Sequence, residues 1–246
     1  MSLCENDLKL LDRKMLWLGL SALMAAIVLL LLISGTSQAI DVPVTEPIQN
    51  IDSGVYYSDI QAAVDAAASG DTLVITDYVF AGDLVVDGKD INIVDSSFQI
   101  DGNLAVRNGA SLYIDPTWLN VTGNVYVDAA TLTWDNTIVQ VNATSNGGLE
   151  IWVNNTGNLY IINNSVVRSG TAFSYMMFVE GEIQVVDSAM EDMRTIRMMT
   201  LAPASTFENA TISDWEWYGF WVVNTCLLYT SPSPRDLSTS RMPSSA

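Results

Sequence analysis

The sequence predicts an all-β solenoid, a parallel β-helix in which short strands stack in successive coils. An Asp or Asn returns at intervals of 20, 20, 28, 24 and 22 residues, flanked by alternating apolar residues and separated by Gly, Asn and Asp. Antiparallel hairpins, as in an ordinary β-sandwich, reverse direction at each turn and have no reason to repeat one residue in phase, whereas stacked coils do. We therefore expect about seven coils of three strands, stacked about 4.8 Å apart with alternate apolar residues inside.

An apolar segment precedes the repeat. Residues 15–34 contain no charged side chain, follow three basic residues and are long enough to span a bilayer. Basic residues before the segment and acidic sequence after it predict residues 1–14 in the cytosol and the body outside the cell. We expect residues 15–34 to be an uncleaved transmembrane helix in the cell membrane, followed by a linker over 35–52. The alternative is a cleavable signal peptide, because small residues at 37–39 suit signal peptidase, and the body would then be secreted.

A helix is predicted directly before the first coil. Asp59 can cap it, the apolar residues of 60–67 fall on one face, and Gly70 ends it. The segment Ile-Gln-Ala-Ala-x-x-Ala-Ala at 60–67 and the Gly-Asp-Thr turn at 70–72 resemble the start of right-handed parallel β-helix proteins of the pectin lyase-like superfamily. The resemblance is close over 56–95 and extends only to the general pattern afterwards. It implies a right-handed β-helix with an N-terminal capping helix over 53–225, and implies fold more than activity.

Three strands are expected in each coil, because the alternation of apolar and polar residues restarts three times in each period. First strands are expected around residues 84–86, 104–106, 125–127, 151–153, 177–179, 198–201 and 220–222. Second strands precede the recurring Asp or Asn, and third strands follow it, starting near Phe98, Trp118, Ile138, Val166, Met190 and Ile212. Six methionines between residues 176 and 199 are expected to be adaptable core residues rather than metal ligands.

The recurring residue suggests both a turn and a cation site. Its six occurrences are Asp95, Asp115, Asp135, Asn163, Asp187 and Asn209, most with Ser or Thr two residues later. Asp and Asn side chains accept a hydrogen bond from the backbone two residues on and thereby shape a turn. Carboxylates about 5 Å apart repel each other by about 3 kcal/mol at an effective dielectric constant of about 20, which a bound Ca²⁺ would reverse. A plain turn and a calcium site at Asp95, Asp115 and Asp135 are therefore alternatives, and no other cofactor is expected.

Aromatic side chains are expected on the outside of the solenoid. Tyr113, Tyr126, Trp152 and Tyr160 stand at outward positions between inward apolar pairs. Aromatic faces on a flank of a solenoid suit sugar stacking, and they equally suit packing against the neighbouring coil. The predicted register does not place all four in one file, so glycan binding and cross-strand packing are both open.

Five Asn-x-Ser/Thr motifs in the body are possible glycan acceptors in an exported protein. They begin at Asn120, Asn142, Asn154, Asn163 and Asn209. Two of them coincide with the recurring turn residue, which explains those asparagines without a glycan.

Charge and composition exclude several function classes. The formal net charge is −18 and the chain has no histidine, which disfavours nucleic-acid binding and excludes His-based triads and His metal sites. Relatives of the resembled superfamily include polysaccharide lyases and glycoside hydrolases, but no catalytic motif of these enzymes matches any position here. Arg107 and Arg168 are the only mid-body candidates for a lyase base. We expect a membrane-anchored extracellular protein with a structural or adhesive role, in contact with glycans or surface proteins; the alternative is a truncated polysaccharide-degrading enzyme.

The alternating pattern stops at Cys226. Residues 226–236 and 240–246 resemble the translation of two parts of a transposase-type sequencing adapter. We expect 226–246 to be an adapter-derived artefact that truncates the solenoid, with a disordered Ser- and Pro-rich tail as the alternative. Cys226 would then not be native, and the body would have no cysteine and no disulfide.

Overall fold

The computed structural model describes residues 46–199, 205–216, 218–222 and 228–230. The predicted anchor at 15–34 and most of the adapter-like segment lie outside these residues. Within the described ranges, no helix is both long enough and apolar enough to cross a membrane.

The described chain forms a β-solenoid of about seven coils with one short helix. The helix is α1 (Ile60–Ala66). The strands are β1 (Ile48–Asn50), β2 (Val55–Tyr57), β3 (Asp71–Ile75), β4 (Tyr78–Phe80), β5 (Leu84–Asp87), β6 (Asp90–Ile100), β7 (Leu104–Arg107), β8 (Ser111–Val121), β9 (Val125–Asp128), β10 (Thr131–Asp135), β11 (Ile138–Val141), β12 (Glu150–Val153), β13 (Asn158–Ile162), β14 (Val166–Ser169), β15 (Tyr175–Val179), β16 (Glu182–Val186), β17 (Ala189–Met190), β18 (Met193–Met198), β19 (Thr206–Glu208), β20 (Thr211–Ile212), β21 (Tyr218–Val222) and β22 (Leu228–Thr230).

The strands stack in parallel, which confirms the solenoid and excludes the sandwich. First strands form a seven-stranded sheet in the order β5, β7, β9, β12, β15, β18 and β21. Second and third strands form a 15-stranded sheet, in which β6 and β8 each run through the corner and supply both strands of their coil. The antiparallel strands β1 and β2 begin this sheet.

One first strand differs from the expected position. The sequence pattern placed it at 198–201, and the structure places it at Met193–Met198. Against β15, Tyr175 pairs with Met193 and Met176 with Thr195, so β18 contains one extra residue at this point. The adjacent Thr195 and Ile196 are both buried, and the alternation is therefore broken there.

The core consists of apolar side chains stacked in files along the solenoid. Ile91, Leu112, Leu132, Leu159 and Ile183 face one another in successive coils and are almost fully buried. Because each such side chain contributes about 1.5–3 kcal/mol on burial, in-register stacking is strongly favoured.

Four of the six methionines lie in this core, as expected. They are Met177, Met190, Met193 and Met198. Met199 is 39% exposed, and Met176 is half-buried at an outward position of β15.

Helix α1 covers the first edge of the seven-stranded sheet. The Asp59 carboxylate accepts a hydrogen bond from the Ala62 N–H at 2.8 Å and caps the helix, as expected. The Gln61 amide donates to the Val85 carbonyl at 3.0 Å and accepts from the Val85 N–H at 2.8 Å, so it occupies the free edge of β5. Lys89 donates to three carbonyls at the end of the helix, where a positive charge is favoured.

The corner between second and third strands has the same backbone conformation in most coils. Its residue has a φ between 46° and 65°, which Asn and Asp adopt more readily than other non-glycine residues. The residues with this conformation are Asp95, Asn136, Asn163, Asn164, Asp187 and Asn209. Val94 pairs with Asp115 and Ser96 with Thr117, so the residue opposite Asp95 is Pro116, whose ring fixes a negative φ.

The expected single file of six acidic or amide residues is therefore wrong in two coils. Asp115 and Asp135 directly follow the paired Ile114 and Trp134, so they lie one residue before the corner, whereas Asp95 lies on it. Asp is compatible with a strand end and with a left-handed corner alike, so the residue type did not distinguish the two positions.

Third strands β11 and β14 start at Ile138 and Val166, as expected. Trp118 and Ile138 nevertheless point outward and are 38% and 40% exposed. The buried file consists of Phe98, Leu119, Val139, Val167 and Met190.

A buried hydroxyl follows the corner in five coils. The residues are Ser96, Thr117, Thr137, Ser165 and Ser188. Thr137 donates through its hydroxyl to the Asp135 carbonyl at 2.8 Å, and its N–H donates to the Ser165 hydroxyl of the next coil at 3.0 Å. The hydroxyls of Ser96, Thr137 and Ser165 each bond to the backbone of both their own coil and a neighbouring coil, and thereby fix the stacking at the corner.

We expect Ser165→Ala to lower the free energy of unfolding by about 1–3 kcal/mol, because it leaves the buried Thr137 N–H without an acceptor. Ser97→Ala, at a half-buried position of the first corner, is the control and should change it by less than about 0.5 kcal/mol. Urea denaturation measures both. Equal losses in the two variants would contradict a role for the hydroxyl file.

Candidate functional site

Two predicted aspartates form a cluster with a tyrosine beside the corner. The Tyr113 hydroxyl donates to Asp135 Oδ2 at 2.7 Å and lies 3.4 Å from Asp115 Oδ2. The Asn163 amide donates to the other oxygen of Asp135 at 2.8 Å. Burial raises the pKa of Asp115, the neighbouring Asp135 charge raises it further, and the Tyr113 hydrogen bond opposes this. Burial and the Asp135 hydrogen bond also raise the pKa of Tyr113.

The three aspartates expected to bind calcium do not lie in one file. Among the described residues, no group of three or more Asp, Glu, Cys or His side chains is arranged to hold a metal ion. Asp95 is one residue out of register with Asp115 and Asp135, and the Asp135 oxygens already accept two hydrogen bonds. Calcium binding at Asp95, Asp115 and Asp135 stays a prediction.

The four predicted sugar-stacking residues divide between two faces. Tyr126 and Trp152 pair with each other on the seven-stranded sheet. Tyr113 and Tyr160 lie on the other sheet, where each pairs with Thr133 between them. The Tyr160 hydroxyl donates to Glu182 at 3.3 Å.

On the seven-stranded sheet, the file of outward side chains that contains Tyr126 and Trp152 continues into the following coils. Phe178 pairs with Trp152, and their rings stack with centroids 4.3 Å apart and an angle of 12°. The Arg197 guanidinium follows, 5.6 Å from the Phe178 ring centroid and 4.7 Å from that of Trp221. We call Tyr126, Trp152, Phe178, Arg197 and Trp221 the aromatic ladder.

Within the aromatic ladder, the rings of Trp152 and Phe178 face each other, whereas Trp221 at its end is 49% exposed. Phe178 covers one face of Trp152, and the Trp152 indole N–H donates to Glu150 at 2.7 Å. Offset stacking and cation–π contacts each contribute about 0.5–1.5 kcal/mol. The arrangement supports packing between coils as the role of Trp152, the second of the alternatives left open by the sequence.

The five glycosylation motifs differ in exposure. Asn120 is only 5% exposed and its amide donates to Gln99 at 2.8 Å, so a glycan there is incompatible with the folded chain. Asn142 and Asn154 are half-buried. Asn163 and Asn209 are exposed at corners, and their amides donate to Asp135 and Asp187.

The two arginines considered as lyase bases lie on different sheets. Arg107, on β7, donates to the Asp87 carboxylate at 2.8 Å, and Asn108 and Arg107 together lower the pKa of Asp87. Arg168, on β14, pairs in register with Gln140. Neither arginine lines the pocket described next.

An open pocket lies where third strands turn into first strands. It has a volume of about 430 Å³. Its lining residues are Asn146, Thr171, Ala172, Phe173, Ser174, Asp192, Asp214, Trp215 and Glu216. They come from four successive turns: the 142–149 loop, the 170–174 loop, and the shorter turns around 192 and 214.

Hydrogen bonds between the turns hold the polar side of the pocket. Glu216 accepts from the Ser174 hydroxyl at 2.7 Å and from the Asn146 amide. Asn146 also accepts from the Ser174 N–H at 3.2 Å, and its carbonyl accepts from Arg194 at 2.7 Å. Loops 42 and 70 residues apart in sequence are thereby joined around one carboxylate.

Two further carboxylates and two aromatic rings line the same pocket. Met190 pairs with Ile212, so Asp192 and Asp214 occupy equivalent places in successive coils, with left-handed φ of 55° and 56°. Phe173 is 42% exposed and Trp215 is 50% exposed. Exposed aromatic rings beside carboxylates, amides and hydroxyls can stack on an apolar face of a ligand and bond to its polar edge.

The lining residues of this pocket were not predicted from the sequence. One signal was present: the 28-residue interval, the longest in the series, contains the 142–149 loop that supplies Asn146. Insertions into a solenoid coil fall in surface loops and often carry function.

Comparisons with protein-family models, with curated proteins and with solved structures gave no match.

We expect glycosylation, in an exporting host that modifies Asn-x-Ser/Thr, at the exposed Asn209 and not at the buried Asn120. Mass spectrometry of peptides from the exported protein measures both sites, and Asn209→Gln is the control for assignment. A glycan on Asn120 of the folded protein would contradict the burial described above.

We expect Asp115→Asn to raise the free energy of unfolding relative to the wild type at pH 7 and to change it little at pH 3. The raised pKa of Asp115 means that the folded state binds this proton more tightly, so its contribution favours folding at low pH and is lost as pH rises through the raised pKa. Urea denaturation at the two pH values measures this.

Asp77→Asn, which removes one carboxylate at an exposed position, is the control for the loss of a negative charge as such. A stabilisation by Asp115→Asn that is equal at both pH values would contradict the explanation. If Asp115 and Asp135 bind calcium, adding it should raise the free energy of unfolding of the wild type and not that of Asp115→Asn. An unchanged value for the wild type would contradict the calcium hypothesis.

Proposed function

We propose that this chain is an extracellular β-solenoid, anchored in the cell membrane by residues 15–34, with a structural or adhesive role and a glycan-binding pocket. The observation that carries the glycan proposal is the open pocket between coils, with two exposed aromatic rings beside polar side chains. Sugar rings present an apolar face and a polar rim, which this combination fits.

The proposed localisation rests on the N-terminal sequence. Basic residues precede residues 15–34 and acidic sequence follows them, which favours a cytosolic N-terminus and an extracellular body. The net charge of −18 suits a soluble surface exposed to cations and opposes nucleic acid as a partner.

We assign the solenoid to the right-handed parallel β-helices of the pectin lyase-like superfamily. Support comes from the 60–67 helix sequence with its Gly-Asp-Thr turn, and from the position of α1 over the edge of β5. A capping helix with this sequence before the first coil is the feature that the resemblance rests on.

The rod-like stacking of coils supports a structural or adhesive role. Each coil contacts its neighbours through continuous core files, so the solenoid is stiff along its axis and places the pocket at a fixed position on its flank. Neighbouring surface proteins are a second class of partner for such a flank.

We expect the full-length chain, purified in a non-ionic detergent, to bind at least one member of a panel of neutral, acidic and amino hexasaccharides in titration calorimetry. Trp215→Ala and Phe173→Ala should each weaken that binding about tenfold, equivalent to about 1.4 kcal/mol, because each removes a stacking surface.

Trp118→Ala is the matched control, because Trp118 is an exposed tryptophan on β8 that does not line the pocket. Equal weakening by all three variants, or no binding by any glycan, would contradict the proposal. Mass spectrometry of the glycans recovered after binding adds a decisive measurement. Glycans shortened during incubation would show hydrolase or lyase activity and would contradict a purely adhesive role.

A further inference from the structure

We propose that the pocket selects glycans that carry free amino groups and rejects polyanionic ones. The inference rests on the proposed glycan binding and adds the chemical class of the ligand. It is carried by the charges of the described residues that form the pocket wall.

The wall of the pocket is strongly acidic. Asp192, Asp214 and Glu216 supply three carboxylates, and none of the nine described lining residues is Lys or Arg. Glu216 is held by the Asn146 amide and the Ser174 hydroxyl, which are neutral donors and leave its charge in place. A uronic acid or sulfated sugar would place like charge against this wall, whereas a protonated amine would meet opposite charge.

The aromatic rings add to the same preference. Phe173 and Trp215 are both about half exposed, so their faces are accessible to a ligand in the pocket. An ammonium group over an aromatic face is attracted by the ring quadrupole, in addition to the stacking that any sugar ring can make.

The position of the nearest arginine is consistent with this assignment. Arg194 donates to the Asn146 carbonyl at 2.7 Å and is not among the described residues that line the pocket. Its guanidinium thus bonds to the backbone of the 142–149 loop.

The experiment compares three hexasaccharides of equal length on the full-length chain at pH 5.5. A glucosamine hexamer has free amines that are largely protonated at this pH, an N-acetylglucosamine hexamer is the neutral counterpart, and a galacturonic acid hexamer is the anionic one. Ordinary Asp and Glu side chains are ionised at pH 5.5. We expect the glucosamine hexamer to bind at least tenfold more tightly than its acetylated counterpart, and the galacturonic acid hexamer not to bind.

Asp192→Asn and Asp214→Asn remove the charge while keeping a residue that tolerates the left-handed backbone. Each should reduce the ratio of the two affinities, amino over acetylated hexamer, at least threefold, because only the amino hexamer loses an opposite charge. Asp77→Asn is the matched control, because Asp77 is exposed, has a φ of 46° and does not line the pocket.

The outcomes separate this inference from the proposed function. Equal binding of the amino and acetylated hexamers, or a preference that survives both substitutions, would overturn the charge selection and leave glycan binding intact. Failure of all three hexamers and of every other glycan would overturn both. Thermal melting of each variant verifies that it is folded, so that a lost preference reports on charge.

Discussion

The register between neighbouring coils is the constraint on which the rest of the structure depends. It is fixed at the corner, where a left-handed residue such as Asn136 bends the chain and the next hydroxyl bonds to two coils at once. A shift of one residue would turn every inward side chain of a strand outward. Because core files such as Ile91 to Ile183 are almost fully buried, the corner and the core favour the same register.

Stacking also determines what the outer faces can do. An outward residue on a strand stands about 4.8 Å from its counterpart in the next coil, which lies within the centroid separation of about 4.5–7 Å that paired aromatic rings prefer. Aromatic residues that repeat at one place, such as Trp152 and Phe178, therefore stack on each other and cover their own faces. Residues in the turns between strands are not stacked in register on the neighbouring coil. Phe173 and Trp215 lie in such turns, and about half of each side chain is exposed. Binding is thus favoured where the repeat is interrupted.

Periodicity in the sequence predicted the coils, the capping helix and most first strands, because these depend on alternation and on local capping. The phase of the corner was harder to predict. Asp115 ends a strand and Asp95 occupies a corner, and both conformations suit Asp, so only the pairing of Val94 with Asp115 separates them. The pocket could not be predicted for a different reason. Asn146 and Glu216 are 70 residues apart, and predicting their contact requires the exact length of each coil between them.

The placement of the few basic residues links the fold to the charge of the pocket. Among the five in the body before residue 200, Lys89 caps α1, Arg107 pairs with Asp87, Arg197 lies between aromatic rings and Arg194 supports the 142–149 loop. Each of these four positive charges is used within the solenoid itself. The acidic residues greatly outnumber them, so the field around the coils attracts cations and repels polyanions over about 8 Å at physiological ionic strength. A ligand that reaches the pocket by diffusion passes through this field first, and its effect on association rate has the same sign as the preference of the pocket wall.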